Sequence, residues 1–158
     1  MILIDFTQTV IAGLMAQLKS NDNEINESML RHMILNSLRN YQKRYGPDYG
    51  QIVLCTDASD PWRREFFPLY KANRKKSREA DDRDWKLIFD TLHEVKMEIK
   101  ENFPYKYMYV ENCEADDIIA VLTKHATEDV MIVSLSLIHI SEPTRPRLIS
   151  YAVFCLKK

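Results

Sequence analysis

The sequence has no Cys-x-x-Cys pair, no charged-then-apolar leader, no membrane-length hydrophobic run and almost no net charge. Each absence removes a class of function. Its three cysteines, Cys55, Cys113 and Cys155, stand far apart, an odd number without metal or disulfide spacing that suits a reducing cytosol. The chain opens directly on Met1-Ile2-Leu3-Ile4-Asp5, so no secretory leader is expected. The apolar run over residues 148–156 falls far below the ~20 residues that span a bilayer. The expectation is a soluble, cytoplasmic protein without a membrane partner. A net charge of −1 gives no overall preference for nucleic acid, so any such preference must lie in how the charges are distributed. There is no internal repeat, and 158 residues suffice for one domain with a real core but not comfortably for two.

What is present alternates. Residues 2–4 read as a short buried strand ending at Asp5. A helix is expected over about 7–19, where Val10, Leu14 and Leu18 keep four-residue spacing. Asn26 is placed to cap a second helix with the stripe Leu30, Ile34, Leu38 and Tyr41, which Gly46-Pro47-Asp48 should stop. Ile52-Val53-Leu54-Cys55 is a second strand, closing on Asp57. Residues 58–84 are highly charged and show no clean period. Trp85, Phe89, Leu92, Val95 and Ile99 mark a long helix to about residue 102. A third strand over 107–110, a helix over about 114–126 and a fourth strand over 130–134 follow. Strands alternating with long helices predict an α/β fold with a parallel sheet.

Three strands deliver acids at their C-terminal ends: Asp5, Asp57, and the cluster Glu114-Ala115-Asp116-Asp117. In parallel α/β sheets the binding crevice lies outside those ends, so acids distant in sequence converge in space. Crowded carboxylates repel one another unless a cation neutralises them. The candidate ligands are hard oxygens without partnered His or Cys, which favours Mg²⁺ or Mn²⁺ over zinc. A single strand-end Asp is as readily a turn former, and acids at 114–117 as readily complement a helix dipole. The constellation, not any one position, points to metal-assisted phosphate chemistry.

Residues 62–78 carry Arg63, Arg64, Lys71, Arg74, Lys75, Lys76 and Arg78 against the single acid Glu65, with Trp62, Phe66, Phe67 and Tyr70 interleaved. Such a run is usually a solvated helix face. Its position directly after the second acidic strand end favours contact with nucleic acid, cations on phosphates and aromatics on bases or core.

Five stretches now resemble the 5′-nuclease family, of flap endonuclease and 5′-3′ exonuclease type, and within it the phage RNase H branch. They are Leu3-Ile4-Asp5-Phe6, Ile52-Val53-Leu54-Cys55-Thr56-Asp57, Trp62-Arg63-Arg64-Glu65-Phe66, Tyr70-Lys71-Ala72-Asn73-Arg74, and Glu114-Ala115-Asp116-Asp117-Ile118-Ile119-Ala120-Val121-Leu122. The resemblance implies a Rossmann-like (PIN-like) nuclease domain. It implies Asp5, Asp57, Glu114 and Asp116 as ligands of Mg²⁺ or Mn²⁺, two ions in a complete member, with Asp117 in the outer shell. Arg63 and Lys71 would reach the scissile phosphate with Arg74 in support, and about 62–84 would form the arch over single-stranded 5′ ends. RNA primers in RNA–DNA hybrids and DNA 5′ flaps are the implied substrates. Replication proteins are further implied partners, in a phage-infected or bacterial cell.

The resemblance covers residues 1–134 and then stops. The family continues with a Ser-Asp-Gly-Asp type loop supplying further ligands and a helix-turn-helix that grips the duplex. Here residues 135–146 read Leu-Ser-Leu-Ile-His-Ile-Ser-Glu-Pro-Thr-Arg-Pro, a string that resembles a translated sequencing adapter. The tail carries net +3, which leaves −4 for residues 1–134. Residues 135–158 are therefore expected to be a non-native tail, and the domain to be truncated after its fourth strand. The competing reading is a catalytically inactive nucleic-acid-binding fragment of the same fold. An Asp-nucleophile phosphatase would want a second Asp at position 7, where Thr7 stands, and a receiver domain an acidic pair that Phe6 and Thr7 do not supply.

Overall fold

The computed structural model describes residues 1–20, 25–134 and 153–156. The order of elements is β1 (Ile2–Asp5), α1 (Phe6–Ser20), α2 (Glu27–Tyr49), β2 (Ile52–Thr56), α3 (Arg63–Phe66), α4 (Asn73–Glu79), α5 (Trp85–Asn102), β3 (Lys106–Tyr109), α6 (Ala115–His125), β4 (Val130–Val133) and β5 (Val153–Leu156). The sheet runs β3-β2-β1-β4-β5, with the first four strands mutually parallel.

β1, β2 and β4 are fully buried apolar runs because both faces of the sheet are covered there, while the edge strand β3 is partly exposed. Alternation then sorts their side chains. Ile2, Ile4, Ile52, Leu54, Met131 and Val133 share a core with α1, α2 and α5. Leu3, Val53, Cys55, Val130 and Ile132 share the other core with Ala115, Ile118 and Ile119 of α6. The result is a three-layer arrangement of the expected α/β class, with helices on both faces of a mainly parallel sheet. Val10, Leu14, Leu30, Ile34 and Leu38 are buried as the spacing predicts, while the Leu18 side chain lies outside the described residues.

Two helix ends depend on local chemistry. Asn26 does cap α2, its side chain accepting the Met29 N–H at 2.9 Å. The expected stop at Gly46-Pro47-Asp48 is corrected, because α2 runs through Pro47 to Tyr49. A proline near a helix end deletes one backbone bond without forcing an exit. The actual terminator is Gly50, whose φ of 84° is a left-handed setting that L side chains rarely adopt. Gly46 contributes by leaving room for Gln42 to reach back to the Gly50 carbonyl at 3.1 Å.

The aperiodic stretch 58–84 is not uniformly irregular: it folds α3 and α4 around a turn at Lys71, where φ is 55°. Within its acidic end, Asp84 caps α5 by accepting the Leu87 N–H at 2.9 Å, and Asp81 pairs with Arg83 at 2.8 Å.

The sheet also gains a strand that the sequence reading did not anticipate. β5 lies antiparallel on β4, from Val130↔Leu156 to Val133↔Val153. A β-prone apolar run beside an open strand edge satisfies that edge's unpaired N–H and C=O groups. The remaining tail residues, 135–152 and 157–158, lie outside the described residues. Among the described residues no helix is long and apolar enough to cross a membrane.

Leu54 is 1% exposed in the larger core. Leu54→Ala is expected to cost ~2–5 kcal/mol, read as a lower urea midpoint at unchanged slope. A loss below ~1 kcal/mol would mean that this face is not close-packed.

Candidate metal and phosphate site

Parallel pairing puts the C-terminal ends of β1, β2 and β3 on one side of the sheet, and the acids follow. Asp5 ends β1, opposite Cys55 in register. Asp57 lies one residue past β2, and Glu114 is the N-cap of α6, which follows β3. The turn into α6 passes through Asn112 at φ 58°, a setting asparagine tolerates.

Asp5 is 1% exposed. Its Oδ1 accepts the Gln8 N–H at 3.2 Å, so the last residue of β1 also caps α1. Ser134 Oγ, just past β4, lies 3.5 Å from Oδ2. Burial, and then the nearby charges of Asp57 and Asp116, push the Asp5 carboxyl from 3.8 up to about 7, against the opposing pull of the Gln8 bond and Lys71. Asp57 Oδ1 accepts the Ala115 N–H at 2.9 Å, which ties β2 to the start of α6. Burial also raises Asp116, with Asp57 and Glu114 adding and Lys71 and Arg63 opposing. Its Oδ1 is buried without a hydrogen-bond partner. Such an atom is costly unless it serves a ligand.

Glu114 and Asp117 are held differently. Asp117 takes both arms of Arg63, at 2.7 and 2.6 Å, and the Trp62 indole N–H at 3.2 Å. It also accepts the Glu114 N–H at 3.0 Å. Burial lifts its carboxyl, but Arg63, the Glu114 N–H and Trp62 together outweigh that and hold it below its ordinary value. Glu114 receives Lys71 Nζ at 2.5 Å on Oε1, and Arg63 at 2.9 Å and the Tyr70 hydroxyl at 2.8 Å on Oε2. Burial, with Arg74 adding, pulls the Lys71 ammonium down, and the bond and charge of Glu114 together with the Tyr70 hydroxyl more than restore it. The Arg63 guanidinium, stacked 4.7 Å over Trp62, is raised by its Asp117 bonds.

The structure thus brings Asp5, Asp57 and Asp116 into one electrostatic cluster and fastens Glu114 and Asp117 to Arg63 and Lys71. Arg74 stands apart, exposed on α4, close enough to repel Lys71. Among the described residues no three His, Cys, Asp or Glu side chains form a ready-made ion cage. Sequence reasoning missed Tyr70 and Trp62 as carboxylate donors, having assigned their rings to bases or core. It also missed Ser134, whose strand-end position beside Asp5 was the available signal, and Lys96. The Lys96 ammonium is lowered by burial on α5, within electrostatic reach of Asp57.

The sequence model described as 5′-3′ exonuclease, N-terminal resolvase-like domain, matches residues 1–136. The chain belongs to the 5′-3′ exonuclease family. Within that family it is 43% identical over 125 residues to ribonuclease H of Enterobacteria phage T4, a match covering 77% of this chain and 41% of that protein. Its fold is similar to the T5 5′-exonuclease with divalent zinc ions bound. The TM-score is 0.60 at 18% identity, covering 86% of this chain and 49% of the other. A T5 protein co-crystallised with metal ions gives a TM-score of 0.53 at 19% identity, over 86% and 48% of the two chains. The chain therefore spans about half the length, or less, of the relatives it matches. As a 5′-3′ exonuclease domain, it presents acids at the ends of β1 and β2 and at the start of α6.

The raised Asp5 carboxyl gives this domain a pH signature. Below 3.8 the folded and unfolded states both hold the proton, and between 3.8 and about 7 only the folded state does. Unfolding then releases a proton, so stability falls as pH rises through that window and the loss is complete above it. In chelator-treated buffer at pH 8, Asp5→Asn is expected to melt at least ~3 °C above the parent, with the difference shrinking toward pH 4. Equal or lower melting of the variant at pH 8 would show that Asp5 is not held against its charge.

Proposed function

We propose that this chain is the carboxylate-bearing part of a metal-dependent 5′-nuclease that hydrolyses phosphodiesters in RNA primers or 5′ flaps during DNA replication. The observation that carries this reading is the grouping of Asp5 and Asp57 at adjacent strand ends with Asp116 in the first turn of α6, a buried Asp116 oxygen left unpartnered and a basic aromatic segment alongside. Repelling, desolvated carboxylates of this kind are what a divalent cation relieves.

The donor set fits Mg²⁺ or Mn²⁺, all hard oxygens, with Asp5, Asp57, Glu114 and Asp116 as the proposed ligands. The divalent ions in the T5 relatives support a divalent cation without fixing which one. When bound, the cation supplies Lewis-acid neutralisation of charge on the phosphate and makes water a stronger nucleophile. The protein's own share is positioning and charge. Asp5, 1% exposed, and the buried Oδ1 of Asp116 lie out of reach of bulk water. Arg63 and Lys71 provide cations for the phosphate's developing charge, and Asp117 aims Arg63 through its two-armed contact. Arg74, exposed on α4, adds attraction for the strand at longer range. Phe66 is 79% exposed and Leu69 70% in the same segment, with Trp62 edge-on to Phe66 at 5.9 Å. Such surfaces suit unpaired bases. Replication proteins are the proposed further partners, and the cytoplasm of a bacterial or phage-infected cell the proposed setting.

Residues 135–158 are proposed to be a non-native tail, a reading supported by the family match closing at residue 136. A second reading, a nucleic-acid-binding fragment without catalysis, is favoured by one observation: both Glu114 oxygens are committed to Lys71, Arg63 and Tyr70.

A labelled 5′-flap duplex separates the two. With Mg²⁺ the chain is expected to cleave it, and Asp57→Asn or Asp116→Asn to lose on the order of 10²-fold or more in rate while binding changes little. Binding that weakens steeply with salt, without cleavage at any Mg²⁺ concentration, would replace the nuclease reading with the binding one.

A further inference from the structure

Lys71 cannot serve a phosphate while it is fastened where the structure places it. Its ammonium lies 2.5 Å from Glu114 Oε1, and Glu114 also accepts from Tyr70 at 2.8 Å and Arg63 at 2.9 Å. Three donors from one short stretch therefore converge on one carboxylate whose side chain is 7% exposed. Lys71 makes this contact from φ 55°, a left-handed setting that a lysine adopts only where its surroundings hold it. The charge-assisted contact with Glu114 ties it there. A divalent cation and an ammonium compete for the same carboxylate lone pairs and repel one another.

We propose that Glu114 is a latch: without a cation it clamps the segment over residues 62–79 through Lys71, and when a divalent cation is bound at the carboxylate cluster Lys71 leaves Oε1, becoming available to phosphate as the segment loosens. Tyr70 is a positioning residue in this scheme, since its hydroxyl keeps Oε2 in place while Oε1 changes partner. Arg63 stays on Asp117 through its fork, so the segment pivots about α3 and does not detach. The inference rests on the proposed cation binding by Asp5, Asp57, Glu114 and Asp116.

Hydrogen–deuterium exchange on the full chain, with and without Mg²⁺, tests it without any cleavage assay. Mg²⁺ is expected to slow exchange over residues 114–117 and to speed it over 67–79 by at least ~3-fold, a loosening confined to one local unit. Glu114→Gln is expected to show the faster rate over 67–79 already without Mg²⁺, and Tyr70→Phe an intermediate one. Protection of residues 2–5 certifies that each variant is folded. Should Glu114→Gln lose that protection, Lys71→Met serves instead. It should loosen the same segment and tighten Mg²⁺ binding roughly 5–10-fold by calorimetry, as loss of a charge-assisted competitor implies. A response at 114–117 with 67–79 unchanged or slowed overturns the latch alone. No exchange response and no binding heat in any sample overturns the cation reading and the latch together.

Discussion

A carboxylate sits where the sheet is most enclosed. Asp5 ends the strand that lies between β2 and β4, and parallel pairing on both sides fixes its backbone before its side chain has any choice. The chain answers with the little polarity available: the Gln8 N–H from the following helix and the Ser134 hydroxyl from the neighbouring strand end. Neither is a counter-charge. The other carboxylates nearby, Asp57 and Asp116, make the position worse. A sheet built only for stability would place an apolar residue here. Stability given up at one buried position is the usual mark of a site kept for chemistry.

Around that cluster the charges separate into two tiers. Asp5 and Asp57 accept backbone N–H bonds, Asp5 also the Ser134 hydroxyl, and Asp116 Oδ1 has no partner. Glu114 and Asp117 are instead each bonded to cations of the basic segment. One turn of α6 carries both tiers, because successive residues at a helix start point in different directions. Asp116 therefore faces the cluster while Asp117 caps its own helix and anchors Arg63. The same short stretch serves as helix cap, ion-pair anchor and candidate ligand.

Most of the sheet was legible because burial on both faces turns Ile2 to Ile4, Ile52 to Cys55 and Val130 to Val133 into unbroken apolar runs. The helix over Trp85–Asn102 was legible because Leu92, Val95 and Ile99 keep one face to the core. The end of α2 was not. Pro47 carries a strong stop signal, yet the backbone breaks only where Gly50 permits a positive φ. Residues 63–79 gave no period because α3 and α4 owe their place to bonds from Arg63, Tyr70 and Lys71 to Glu114 and Asp117, more than forty residues away. Contacts at that separation leave no local pattern. For the same reason the acids could be named from the sequence, while the donors that hold two of them could not. β5 was hidden differently: a run of four apolar residues in a tail reads as a strand only once the open edge of β4 is known.

The strand order has a consequence for how the molecule is made. β1 is synthesised before the other strands of its sheet, yet one of its two partners is β4, whose residues 131–133 pair with residues 2–4. Even the amino group of Met1 is bonded to the carbonyl of Asp129, at 2.8 Å. Until those residues leave the ribosome, β1 pairs on one side only, and the apolar run Ile2 to Ile4 has an uncovered flank. Closing a contact across so long a stretch is slow, and the half-built sheet exposes a sticky edge meanwhile. The nascent chain is thus most prone to misassociation in the interval between completing β2 and completing β4.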